Sequence, residues 1–372
     1  MRVNGVSVSF VLMVVAAAAA ACTGARPTEL DSSPIGEAVL PTTPVGEGEP
    51  EAEAHPNPTA NGKPDGGGGG ASKSDSGTKK PDDEEEIVTL CDDGLALAST
   101  SADDAAKAIG LCTKAAPTGK GWGVLSARFA KPDGSATINN LSWGLLPKLG
   151  SILAPSGKVM LALSTGAARG PTDPGYVSPG TGYDKGYTHG APNGQPKRSS
   201  VCAVDDAAPG APHDGVALEL KMRVPANAKS LSFTHQFFTS DTPADACGQY
   251  NDMFVATMDP KPTGSDGNIV FDALGDPVGI NSTSLLRACA PGTYQGLVFA
   301  CPLGMSSLVG TGFDNKSATG WLRTTVPVKS GADITMRFAI WDSADGILDS
   351  TVLIDELAFS TQSAGAAQTV PR

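Results

Sequence analysis

A chain of 372 residues is long for an average domain but within reach of one large β-rich domain. Gly (45) and Pro (29) are abundant, aromatics are 5% and charged residues 18%, a composition of turns rather than long helices. A formal charge of -12 offers no basic face to a polyanion and predicts no nucleic-acid partner.

Residues 1–21 have the pattern of a signal peptide. Arg2 is the only charge before an apolar run from Val6 to Ala21, too short for a membrane-spanning helix, which needs about 20 residues. Cys22 follows Ala19-Ala20-Ala21, which is similar to a bacterial lipobox, where the cysteine is lipidated and becomes the first mature residue. Leu is commoner where Ala19 stands, and plain secretion after an Ala-x-Ala cut is the alternative. Thr23, rather than Asp, follows the cysteine and resembles signals that favour the outer membrane. The expected location is therefore the cell envelope, with the chain lipid-anchored at Cys22 to the outer membrane.

Residues 22–86 then read as a disordered tether. Stretch 23–86 has no Phe, Trp, Tyr or further Cys, holds 9 Pro and 11 Gly, and carries a net charge of -9. Such a segment cannot bury enough apolar surface to offset its chain entropy. The head is expected over 87–360, with a flexible tail over 361–372.

Six cysteines remain for the head: Cys91, Cys112, Cys202, Cys247, Cys289 and Cys301. An even number with no CxxC spacing predicts up to three disulfides in an oxidising compartment. Nearness suggests Cys91–Cys112 and Cys289–Cys301, leaving Cys202–Cys247, out of fifteen pairings.

The head begins with one short helix. Ser101 is its N-cap, Asp103 and Asp104 fill the first turn, Ala105, Ala106 and Ile109 form an apolar stripe, and Gly110 ends it. Beyond it, period-two patterns mark strands at 221–224, 231–238, 253–258, 334–340 and 351–359. Thr335, Arg337 and Ala339 share a face that can meet solvent. Short strands between Gly, Pro and Asp turns predict an all-β, jelly-roll-like β-sandwich with long loops. Trp143, Trp321 and Trp341 read as core or rim anchors.

Segment 170–215 has almost no apolar periodicity and is far longer than an ordinary loop. Three tyrosines and Cys202 predict an ordered excursion over the sandwich. Tyr183, Asp184, Tyr187, His189, His213 and Asp214 make it a candidate binding loop. His189 and His213 with neighbouring carboxylates are also what a hydrolase reading requires. A glycosidase needs two carboxylates about 5–10 Å apart, which spacing alone does not reveal. HExxH, GxSxG and Walker patterns are absent. His235 falls inside a strand and reads as a packed residue.

The densest polar run is 341–356. Asp342, Asp345 and Asp349 fall around a Gly turn, with Asp355 further on. Asn251 and Asp252 precede another strand. Hard carboxylate and amide oxygens in this pattern suit a structural Ca²⁺, although the spacing is not that of an EF-hand. Asx-turn capping of strand ends is the alternative role.

Several stretches together resemble the choice-of-anchor L domain family, in its myxobacterial-type lipoprotein form. They include AAKAIGLC (105–112), LSTG (163–166), GTGYDKGYTHG (180–190), His213-Asp214, YNDMF (250–254), NIVFD (268–272), TGWL (319–322) and 339–356. The likeness covers roughly 88–360. The family's acidic, aromatic run before the Asn-Asp strand is replaced by FFTSDTPADACGQY, with Asp241 and Asp245 but little Glu. The resemblance implies a surface-attached β domain with no activity to carry over. The expected function is a lipid-anchored, non-catalytic surface protein with a binding, adhesion or structural role. Its partners would be the membrane, through the lipid, and a surface glycan or another envelope protein. A surface-tethered hydrolase using His189 or His213 is the alternative.

Overall fold

The head opens on α1 (Ala102–Ala108), placed and ended as its sequence dictates. The Ser101 hydroxyl accepts from the Asp104 amide at 3.2 Å, and Gly110 leaves the helix at a φ of 100°. Ala105, Ala106 and Ile109 are buried, and the Cys91–Cys112 disulfide ties the flanks together. The structure is a computed structural model describing residues 90–136, 139–203 and 209–372. The export segment, Cys22 and the tether over 22–86 lie outside the described residues.

The strands in chain order begin with β1 (Gly123–Ala130), β2 (Trp143–Leu146), β3 (Lys148–Leu149), β4 (Ile152–Leu153) and β5 (Met160–Ser164). Next come β6 (Pro212–Arg223), β7 (Ser230–Thr239), β8 (Met253–Asp259), β9 (Val278–Gly279), β10 (Gly292–Tyr294) and β11 (Leu297–Phe299). The chain continues with β12 (Ser317–Ala318), β13 (Leu322–Pro327), β14 (Asp333–Ser343), β15 (Ser350–Ser360) and β16 (Gln368–Pro371). Two sheets dominate, one ordered β1-β6-β14-β8-β9 and the other β16-β13-β7-β15-β5-β2, with β12 beside β7. Their ladders are antiparallel. The chain changes between the two sheets repeatedly, at β1–β2, β5–β6, β6–β7, β7–β8, β13–β14 and β14–β15 among others. This is the expected all-β sandwich.

Period-two patterning fills its core. Ile334, Met336, Phe338 and Ile340 of β14 meet Phe233 and Phe237 of β7 and Val352 and Ile354 of β15. Phe233 and Phe338 pack edge to face at 5.0 Å. His235 is wholly buried between Phe233 and Phe254, with Nε2 3.0 Å from the Thr324 hydroxyl. Burial pulls its pKa down to about 3. Trp143 and Trp341 are core residues, and Trp321 is partly buried.

Three expectations resolve differently or more fully in three dimensions. Ala339 does not face solvent: it is buried with Ala217, Val255 and Trp341, and Ala191 of the excursion packs on them. Segment 170–215 therefore covers part of that sheet's outer face. The flexible tail is corrected too. β16 pairs with β13, Thr369 and Thr324 hydroxyls lie 2.9 Å apart, and Arg372 forms an ion pair with Glu356. Threonine alternation and an open sheet edge outweigh the segment's small, polar composition. The disulfides are the three that nearness suggested, spanning 21, 45 and 12 residues.

Candidate functional site

Where β14 passes to β15, the chain crosses from one sheet to the other and gathers acids at the open end of the sandwich. Pairing of Trp341 with Met253 places Asp342 beside Asp252, which immediately precedes β8. Asp349 immediately precedes β15, whose Ser350 stands opposite Thr239 of β7. Asp241 follows β7 by two residues. Asp214 sits on β6 at a φ of 51°, in the left-handed region that Asp tolerates better than most residues.

Asp252 joins the two sheets. Its Oδ1 accepts from the Ser343 amide at 3.0 Å and its Oδ2 from the Ser350 hydroxyl at 2.6 Å. These donors directly follow Asp342 and Asp349, so one carboxyl group holds both strand ends. Thr165, beyond β5, accepts from the Ser350 amide at 2.8 Å. Asp342 and Asp349 themselves are 1% and 0% exposed; neither carboxylate makes a well-aligned hydrogen bond, although Thr165 and Asp252 lie close enough to Asp342 to interact with it. Asp241 also keeps one buried oxygen unpartnered. Burial raises the pKa of all of them. Asp252 reaches about 7 and Asp349 about 8, while Asp342 rises well above the ordinary range, with Asp252 and Asp349 repelling its charge.

The Lys185 ammonium enters this group. Lys185 comes from the excursion, and although part of the residue stays at the surface, its Nζ points inward. It donates to Ser142 Oγ at 2.6 Å, Ser164 O at 3.2 Å and Gly166 O at 3.3 Å. Burial lowers its pKa to about 8, against the opposing pull of Asp214, Asp342 and Asp349. An ammonium has three donors, and here all three meet neutral oxygens. The Asp214 carboxylate accepts from the backbone amides of Lys185 and Tyr187, fixing the loop that delivers the lysine.

Gly166 sits against Asp349. A Cβ there would lie 2.1 Å from Asp349 Oδ2. Gly166→Ala should therefore displace the carboxylate and destabilise the head by about 1–3 kcal/mol. An unchanged denaturation midpoint would contradict this placement.

Above the buried acids lies a cleft of about 270 Å³ lined by Asp241, Asp245, Tyr250, Asp252, Asp345 and Ile347. Tyr250 is 44% and Ile347 48% exposed, so its rim pairs an aromatic with an aliphatic surface.

The sequence candidates divide accordingly. Asp252, Asp342 and Asp349 come together, and Asp345 stands on the rim. Asn251 shares the strand end, but its Oδ1 turns toward Gly279, whose Cβ would lie 3.0 Å away. Asp355 belongs elsewhere, because its carboxylate accepts from the Ser156 and Glu356 amides far along β15. In the excursion, Asp214 joins the acid group, and Asp184 lies at its exposed edge beside Gly346, accepting from Gly186 N at 2.6 Å. Tyr183 is partly buried. The Tyr187 hydroxyl donates to Gly215 O at 2.9 Å, and burial raises its pKa. His189 accepts from Gly215 N at 2.9 Å through Nε2, and Nδ1 is 2.8 Å from Gly190 O. Those partners fix a neutral ring with both nitrogens occupied. His213 stands opposite Asp342 in the β6–β14 ladder. Lys185, Asp241 and Thr165 were not among the candidates. Only the placement of Lys185 between Tyr183 and Tyr187 hinted at its role.

No three His, Cys, Asp or Glu side chains among the described residues form a closed metal-ligand group. The acid end therefore offers the poorly partnered carboxylates of Asp342 and Asp349 beside the bonded carboxylate of Asp252 rather than a closed cage.

No family model matches the chain, and no curated protein does. Among solved structures, the K2 cleaved adhesin domain of Lys-gingipain aligns at 12% identity over 63% of this chain and 88% of that one, with a TM-score of 0.26. At that TM-score the likeness carries no inference about this protein.

Proposed function

We propose that the protein is a lipid-anchored surface protein of the outer membrane whose head has a non-catalytic binding or adhesion role. Cys22 carries the anchor, residues 22–86 form the spacer, and membership of the choice-of-anchor L family is part of the same reading. The observation that carries the reading is the cleft at the open end of the sandwich. Its acidic floor and exposed Tyr250 and Ile347 suit a hydroxylated or polypeptide surface, since an aromatic ring offers apolar area and a polar tip together. A surface glycan and another envelope protein both have this chemistry. The hydrolase alternative finds less support, because His189 has no free ring nitrogen with which to take a proton.

The test joins anchoring to adhesion. Cys22→Ser should move the protein from membrane to soluble fractions and end its labelling by a fatty-acid analogue. Cells displaying the full chain with Tyr250→Ala and Ile347→Ala should remain labelled but lose adherence relative to the parent. Unchanged fractionation of the Cys22 variant would contradict the anchor, and unchanged adherence would contradict the cleft.

A further inference from the structure

We propose that the carboxylates of Asp342 and Asp349 bind a Ca²⁺ ion at the open end of the sandwich, with neutral oxygens and water completing its shell. Both side chains are almost wholly buried; both Asp349 oxygens lack a hydrogen-bond partner, and Asp342 has no well-aligned one, with only Thr165 and the acid Asp252 close to it. Leaving a buried acid unpartnered is costly, and such groups in proteins are paired, protonated or bound to a cation. The Lys185 ammonium is close enough to favour the Asp349 charge, but it donates its protons to Ser142, Ser164 and Gly166 rather than to either carboxylate.

The scaffold brings the two acids close enough for each charge to be felt by the other. Asp252 bonds the residue after each, Ser343 and Ser350, so the separation of the two strand ends is fixed by one side chain. Thr165 reaches the same place from β5 and is bonded to Ser350.

The donor chemistry selects the ion. Every group available is a hard oxygen, and neither His nor Cys belongs to the set, which disfavours zinc. Ca²⁺ accepts six to eight oxygens in flexible geometry, including hydroxyl, carbonyl and water oxygens beside few carboxylates. Mg²⁺ needs a tighter octahedron and holds its waters. The ion would lie beneath the cleft and hold the β14–β15 connection that carries Asp345 and Ile347 to its rim. This inference concerns the ion alone and stands independently of the anchor and the adhesive role.

The test is calorimetric titration of the detergent-solubilised full chain, freed of metal by a chelator, with CaCl₂ and with MgCl₂. One Ca²⁺ per chain is expected, with magnesium binding at least tenfold more weakly. Asp342→Asn and Asp349→Asn should each reduce calcium affinity at least tenfold, while Asp93→Asn, at an exposed acid beside the Cys91–Cys112 bridge, should not. Because a variant can fail to fold, the parent protein supplies a second readout: its melting temperature should rise with calcium and fall again with chelator, since an ion that binds only the folded state stabilises it. Absence of calcium heat in the parent, a melting temperature indifferent to calcium, or full affinity in folded Asp342→Asn and Asp349→Asn variants would each overturn the proposal.

Discussion

A full chain with Cys202 and Cys247 both replaced by Ser should lose about 4 kcal/mol of stability, because that bridge closes a 45-residue loop and cross-linking removes entropy from the unfolded chain in proportion to the logarithm of loop length. The effect should extend beyond global stability. The bridge pins the far part of the excursion, whose nearer part delivers Lys185 and Tyr187 to the open end of the sandwich. Hydrogen exchange at 183–190 should therefore accelerate in the double variant even under conditions where the core strands stay protected. Denaturant titration gives the first quantity. A loss well below 1 kcal/mol would mean that the unfolded chain is already constrained in this region.

Acid should act through His235. Its folded pKa of about 3 lies below the ordinary histidine value, because burial disfavours the imidazolium. Below about pH 6.5 the unfolded chain takes up a proton that the folded head refuses, so stability falls as pH drops and stops falling only near the folded pKa. Between pH 7 and pH 4 this one residue should cost about 3 kcal/mol. Asp252 and Asp349 work in the opposite sense, since their raised folded values favour the folded state as pH falls through 8 and 7 toward the unfolded value. Total stability is therefore a poor readout, and the difference between parent and His235→Gln is the useful one. Their gap should narrow by about 3 kcal/mol over the window. A gap independent of pH would show that His235 is not held neutral in the core.

Much of the sandwich was legible because alternation is a local signal. Ile334, Met336, Phe338 and Ile340 declare an inward face without knowledge of any partner. The other face of β14 was misread at Ala339, since nothing local reveals that a segment more than a hundred residues earlier lies over it. The last strand was missed for a related reason: Gln368–Pro371 pairs only because β13 leaves an edge open. At the candidate site, Asp342 and Asp349 were visible as acids around a Gly turn. Their sequence neighbour Asp355 was swept in with them, although about 3.3 Å of rise per residue carries it well away along β15. Lys185 and Thr165 reach the same place from distant segments, and no spacing rule links them to it.

A crystal structure of the head grown with calcium near pH 8 tests the cation-holding role of the acid end most directly. The account predicts one ion between Asp342 and Asp349 with oxygen ligands at about 2.3–2.6 Å, and with the Asp252 bonds to Ser343 and Ser350 retained. An empty site, with the Asp342 and Asp349 carboxyl groups protonated and hydrogen-bonded to one another or to Lys185, would contradict it.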